Sequence, residues 1–201
     1  MGRLILVRHG ESESNVTRVF AINPEATPLT ELGYRQAREA AQTIATEFCA
    51  ERVVSSAYLR ARETARVIAA TLGVPLDVES NLNERDIGAL QGCSYDSVLS
   101  APGYDRTRPW AWKPDGGESF EDVRARAAPV LDRLAEGHRD RDLVVVSHGG
   151  VMMALWAHVT REWRGTHTVP NCGIVMIEHG SAGYSPPREI GAAGSVSQVV
   201  G

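Results

Sequence analysis

The segment Leu4-Ile5-Leu6-Val7-Arg8-His9-Gly10-Glu11-Ser12 decides the fold. Its unbroken apolar run has the length of a strand and shows no polar alternation, so the strand is covered on both faces, as in the middle of a parallel sheet. The run stops abruptly at Arg8 and His9, which places a guanidinium and an imidazole at the carboxyl end of a central strand. In open α/β sheets that edge is where ligands sit, because the loops leaving it form a crevice over a rigid floor. A guanidinium is a planar anion clamp and an imidazole is a nucleophile, so the pair suits a phosphate site. Gly10 allows close backbone approach. Taken alone, Arg8-His9 reads equally well as a strand-end surface pair, and the rest of the chain has to decide.

The pattern recurs. Leu143-Val144-Val145-Val146-Ser147 is a second buried strand, and it too ends in a histidine followed by glycine, His148-Gly149-Gly150. Two strands thus deliver a histidine to one sheet edge. Between them, Thr30 caps a helix whose apolar residues Tyr34, Ala37, Ala41, Ile44 and Phe48 recur at helical spacing, with Arg35, Arg38, Glu39 and Gln42 on the solvated face. Arg52 to Ser56 is a short strand, and Ala61, Ala65, Ile68 and Leu72 trace a further helix stopped by Gly73 and Pro75. Arg60 lies in that helix's first turn. Arg62 diverges from it by about 200°, so Arg60 is the candidate for the crevice and Arg62 belongs to solvent or a salt bridge. Gly173 to Glu178 is a last strand, and Val151 to Ala157 is a helix apolar all round, enclosed by the core. Strand and helix alternate, which predicts a three-layer α/β/α sandwich with a mostly parallel central sheet.

The connections are less regular. Asn23-Pro24-Glu25-Ala26-Thr27-Pro28 is a loop over the first strand's end. Residues 81–117 form an insert able to act as a lid, Gly-rich from Asn81 to Gly92 and carrying Tyr104, Trp110 and Trp112 beyond Ala101. These rings either cover a substrate or pad a small subcore; Tyr104 and Trp110 are the candidates for touching its organic part. Ser119 and Asp122 have the spacing of a capping box, and Pro129 predicts a kink near Ala125 to Pro129 in the helix that follows. From 181 to 201 the chain is small and polar, a tail with little to bury.

At 201 residues, 43% hydrophobic and 23% charged, one domain over residues 1–180 accounts for the chain. A formal net charge of -4 gives no general attraction to nucleic acid or anionic membrane, so an anionic substrate must be caught locally. No signal core or spanning segment is evident, and a cytoplasmic location is expected. Cys49, Cys93 and Cys172 lack zinc-ligand spacing and read as reduced thiols. His138, His158, His167 and His179 fall in no motif.

Together these segments resemble the histidine phosphatase superfamily, also called phosphoglycerate mutase-like. The resemblance rests on Arg8-His9-Gly10 with Asn15 six residues after the histidine, on Ser55, Ser56, Arg60, Ala61 and Thr64, on Glu84 in the middle loop, and on His148-Gly149. It implies that His9 attacks phosphorus and becomes phosphohistidine. Arg8, Arg60 and His148 would meet the charge on the phosphoryl oxygens, and Asn15 and Gly149 would line the substrate site. Glu84 would protonate the leaving alkoxide and then activate water. Asp86 is the competing acid and Arg85 a salt-bridge partner for Glu84. Glu84 is preferred because Asn-Glu-Arg-x-x-Gly-Ala-Leu-Gln-Gly is similar to the loop of cofactor-dependent phosphoglycerate mutases. No metal or cofactor is implied.

Two departures favour hydrolysis over mutase action. The Thr-Gly-Trp segment typical of mutases is replaced by Val19-Phe20-Ala21-Ile22-Asn23, and Lys113 to Ser119 resembles the Gly-Gly-Glu-Ser connection of the phosphatase branch. The expectation is a metal-independent hydrolase acting on a small phosphorylated metabolite, without nucleic acid or membrane as partner and with a homodimer allowed. The alternatives are a cofactor-dependent phosphoglycerate mutase and a catalytically weak binding or regulatory protein on the same fold.

Overall fold

In the computed structural model, which describes residues 1–191, seven strands share one sheet. In chain order the elements are β1 (Gly2–Arg8), α1 (Glu13–Thr17), α2 (Glu31–Glu47), β2 (Ala50–Ser55), α3 (Leu59–Leu72), β3 (Leu76–Val78), α4 (Phe120–Gly137), β4 (Asp142–Ser147), α5 (Gly149–Thr160), β5 (Ile174–Gly180), β6 (Gly183–Tyr184) and β7 (Arg188–Ile190). Short 3-10 turns fill the stretch between β3 and α4. The sheet order is β3-β2-β4-β1-β5-β6, with β7 also paired to β5. The first four strands of that order run parallel, while β5 is antiparallel to β1, β6 and β7.

The continuous apolar runs follow from burial on two sides. In β1, Leu4 and Leu6 pack with α4 and α5, whereas Ile5 and Val7 pack with α2 and α3; Leu143 and Val145 of β4 divide from Val144 and Val146 in the same way. Alternate side chains leave a strand on opposite faces, so both parities must be apolar when both faces carry helices. The result is the three-layer sandwich expected from the alternation of elements.

Local signals set the helix starts. Thr30 accepts the Gly33 N–H at 3.0 Å, and Ser119 with Asp122 forms the reciprocal capping box ahead of α4. Pro129 lies inside α4 without ending it. α5 buries Val151, Met152, Ala154, Leu155 and Ala157, as its all-round apolarity predicts.

One expectation is corrected. The chain does not leave the body at 181: β6 and β7 both pair with β5, Ser185 N–H donates to the Glu178 carbonyl at 2.8 Å, and the Tyr184 hydroxyl donates to Asp132 at 2.7 Å. The one edge of β5 not taken by β1 accepts both short strands, whose pairing is set by backbone groups, which a polar composition conceals. The rest of the expected tail, 192–201, lies outside the described residues. No helix among the described residues is long and apolar enough to cross a membrane.

Register positions the site. Arg8 of β1 lies opposite Ser147 of β4, and the His9 N–H donates to the Ser147 carbonyl at 2.9 Å, so the two strands end level and their terminal histidines emerge side by side. Because β5 is antiparallel, its beginning reaches the same edge. Gly10 is required there: a Cβ on it would fall 2.5 Å from the Gly33 carbonyl oxygen, in the backbone of α2.

Candidate active site

His9 is buried, 4% exposed, and both of its ring nitrogens are engaged. Nδ1 lies 2.7 Å from the Gly10 carbonyl, which only accepts, so the ring proton sits on Nδ1. Nε2 is then the acceptor, and it receives the Arg60 Nε–H at 3.2 Å. Burial, followed by the nearby Arg60 charge, holds the imidazole well below its ordinary pKa and therefore neutral near pH 7. The Gly10 N–H donates to the Thr64 hydroxyl at 3.0 Å, and that hydroxyl donates to the Arg60 carbonyl at 2.8 Å. The nucleophile candidate and the first turn of α3 are thereby locked together.

Arg60 is 6% exposed and fixed by donation to the Pro24 carbonyl at 2.8 Å, with its guanidinium 5.1 Å from the Tyr58 ring centroid. Arg8 donates to the Val169 carbonyl at 2.8 Å, while its buried Nε has no partner among the described residues. Burial lowers the pKa of both, with Glu84 acting against that shift. Two largely buried guanidiniums whose protein acceptors are neutral atoms make a site for an anion.

His148 is fully buried beside His9, with ring centroids 5.1 Å apart. The Ser56 hydroxyl accepts the Tyr58 N–H at 3.1 Å and stands 2.7 Å from His148 Nε2, to which it can donate its own proton. With that donation the ring proton is on Nδ1, which is buried and has no partner among the described residues. Burial, then Arg60 and His9, keep this imidazole neutral as well.

Glu84 arrives on a pinned loop. Leu82 is fully buried, its carbonyl accepts the Ser147 hydroxyl at 2.7 Å, and the Asn83 side chain accepts the Ala57 N–H at 2.8 Å. The Glu84 carboxylate then accepts the Gly150 N–H at 3.1 Å and the Arg85 N–H at 2.8 Å, beside the positive end of α5. Arg126 donates to the Glu84 carbonyl at 3.2 Å and pairs with Glu118. Asn15 uses its side-chain oxygen to accept from the Ser12 N–H at 3.1 Å, the Ser12 hydroxyl at 3.0 Å and Asn171 at 3.2 Å, which leaves its NH₂ for a ligand. Arg8, His9, Asn15, Arg60, Glu84 and Gly149 all line one cavity of about 530 Å³, with His148 buried beside His9.

The aromatic insert is placed otherwise. No residue between Ala101 and Gly117 lines the cavity, so the structure places Tyr104 and Trp110, the expected substrate contacts, away from it. Trp112 is buried and donates to the Pro102 carbonyl at 3.1 Å, Tyr104 packs on its edge, and Trp110 stacks 6.2 Å from Trp163. Large rings in a short loop gain more by burying each other than by standing over an opening. The wall comes instead from Phe20 to Glu25 and from Ile87, Gln91 and Tyr95. Asn171, which donates to the His9 carbonyl at 3.0 Å, and the Val169 carbonyl belong to the turn before β5. Their only sequence signal is the turn-forming Pro170-Asn171, which says nothing of the strand's direction.

A family model described as the histidine phosphatase superfamily, branch 1, matches residues 4–186. The metal-independent phosphoserine phosphatase of Arabidopsis thaliana is 32% identical over 170 residues, 79% of this chain and 68% of the relative. A 2,3-bisphosphoglycerate-dependent phosphoglycerate mutase of Methylobacterium sp. (strain 4-46) is 35% identical over 171 residues, 76% of this chain and 77% of the relative. Among solved structures, mycobacterial glucosyl-3-phosphoglycerate phosphatase complexed with VO3 superposes with a TM-score of 0.80 at 28% identity, over 93% of this chain and 96% of that one. With the family model spanning the sheet from β1 to β6 and both strand-end histidines where the motifs put them, the chain belongs to the histidine phosphatase superfamily.

Proposed function

We propose that the protein is a phosphomonoester hydrolase working through a phosphohistidine at His9, on a small phosphorylated metabolite. The observation that carries this reading is the tautomer: Nδ1 of His9 is committed to Gly10, and the Nε2 lone pair faces Arg60 on the wall of the cavity. An entering phosphoryl dianion offers Arg60 a better acceptor than an imidazole nitrogen, so binding draws the donor away and frees the nucleophile. Arg8, Arg60, the His148 Nδ1–H and the Asn15 NH₂ meet the phosphoryl oxygens. Nε2 forms its bond to phosphorus as the ester P–O bond breaks, and Glu84 in its acid form gives its proton to the departing oxygen. Water then attacks phosphorus, the ionised Glu84 takes its proton, and phosphate leaves His9. The reading calls for no metal.

Relatives of this chain include both phosphatases and mutases, and what favours hydrolysis is the insert: residues 101–117 do not close over the cavity. Rapid quench with a ³²P-labelled substrate should trap an acid-labile, base-stable phosphoryl group on His9 and none in His9→Ala. In a coupled assay, 3-phosphoglycerate primed with 2,3-bisphosphoglycerate should give inorganic phosphate and no sustained 2-phosphoglycerate. Label on another residue would refute the nucleophile, and isomer interconversion without matching phosphate release would establish the mutase instead.

A further inference from the structure

Pro170-Asn171-Cys172-Gly173, the turn that leads into β5, is tight and strained. The Gly173 N–H donates to the Pro170 carbonyl at 2.8 Å, and Cys172 sits at a φ of 56°, in the left-handed region that residues other than glycine enter at a cost. Backbone strain persists where the surroundings over-determine it, and it clusters at functional sites. Here the turn aims its donors at the end of β1. The Cys172 N–H faces the carbonyls of Arg8 at 3.1 Å and His9 at 3.3 Å, and Asn171 Nδ2 donates to the His9 carbonyl at 3.0 Å and to Asn15 Oδ1 at 3.2 Å. Partners with a single role fix both amides. The His9 carbonyl only accepts, so the Asn171 NH₂ faces it; the Ser12 N–H only donates, so it meets the oxygen of Asn15 and not the NH₂. Asn15 lines the cavity, and Asn171 does not.

We propose that Asn171 is a positioning residue: it holds the Asn15 amide with its NH₂ turned to the anion, and it ties that donor to the backbone of His9. A single NH₂ group serves both oxygens, so a displacement at one end is felt at the other. Asn15 needs the tie because it stands in α1, a helix of five residues, too short to be rigid by itself. Its oxygen is gathered by donors from two directions, the Ser12 N–H and hydroxyl within its own turn and Asn171 from the distant segment before β5. An apolar residue at 171 would leave the His9 carbonyl and the Asn15 oxygen each one donor short. An acid there would set oxygen against oxygen, and the Asn15 amide would gain by turning over, its NH₂ to the new carboxylate and its oxygen to the cavity, where it opposes an anion. The inference rests on the phosphomonoester reading for the identity of that anion.

Calorimetry with orthovanadate, which mimics the transferring phosphoryl group, reads the anion site without turnover. Asn171→Asp keeps the shape of the side chain and removes its donors, and it should weaken vanadate binding about 10- to 100-fold, as expected for the loss of a hydrogen bond to a charged group. Asn171→Ala should cost only several-fold, because Ser12 still holds the Asn15 oxygen. A residue that merely filled space would show the reverse order. Repeating both substitutions in an Asn15→Ala background removes the amide they act through, so the losses should shrink to what the introduced charge does alone. Equal losses with and without Asn15, an alanine variant that binds more weakly than the aspartate variant, or a parent protein that binds no vanadate would overturn the proposal. Should Asn171→Asp fail to fold, the cycle with Asn171→Ala decides by itself. Vanadate bound by a wild-type protein that hydrolyses no phosphomonoester would refute the hydrolase reading and leave the cycle intact.

Discussion

Replacing Gly150 by alanine separates the fold from the chemistry. Gly150 lies in the first turn of α5 with helical geometry, so the backbone tolerates a side chain, and alanine is the better helix former by up to about 1 kcal/mol. The added Cβ would stand 2.5 Å from Glu84 Oε1 and 2.8 Å from Phe120 Cε1, where ordinary contact begins at 3.4 Å. Both atoms are ends of side chains, so both give way, and the Glu84 carboxyl must retreat by about 0.9 Å. A displacement near 1 Å of a group that has to meet the leaving oxygen costs on the order of 10²-fold. The assay is kcat/KM, which reports phosphoryl transfer to His9, measured on an alkyl phosphate and an aryl phosphate beside a thermal melt. The alkyl ester, whose alkoxide needs the proton most, should lose about 10²-fold, and the aryl ester less. Unchanged Tm with parental kcat/KM on the alkyl ester would refute the placement of Glu84 as the acid.

Ser56→Ala should lower kcat/KM by roughly tenfold, because the hydroxyl that keeps the proton of His148 on Nδ1 is gone, and should cost about 1–3 kcal/mol through the unpaired Nε2; stability loss with full activity would deny His148 a role in binding phosphate. Acidification should also destabilise the protein. His9 and His148 have folded pKa values below their unfolded 6.5, so only the unfolded state takes up protons as pH falls past 6.5. The unfolding free energy should then be flat above that pH and drop by about 1.4 kcal/mol per pH unit for each histidine below it. His167, raised by Glu189, works in the opposite direction, but it is half exposed and contributes little. Urea titrations between pH 5 and 8 that show no loss on the acid side would contradict the burial of neutral imidazoles.

Much of the site was legible because it sits where local periodicity changes. An apolar strand that stops at Arg8-His9, a second that stops at Ser147-His148, and a capped helix with Arg60 in its first turn are short-range patterns, and each fixes its residue's place on the sheet edge or helix face. The family motifs then added Asn15, Glu84 and Gly149, all of which line the cavity.

What the sequence could not carry was which loops meet. The direction of β5 is decided by non-local pairing with β1, and only that direction brings Val169 and Asn171 to Arg8 and His9. Glu84 rather than Asp86 meets Gly150 on another element because buried Leu82 and the Asn83 side chain pin the loop. Trp112 turned inward, and Tyr104 and Trp110 turned away from the cavity, because rings of one insert found each other and Trp163. The same packing holds the Arg85 guanidinium against the rings of Phe120 and Trp112, and it makes no salt bridge to the Glu84 beside it in sequence. Residue type and spacing determine what a side chain offers, while the partner it meets depends on contacts between distant segments, which no local pattern records.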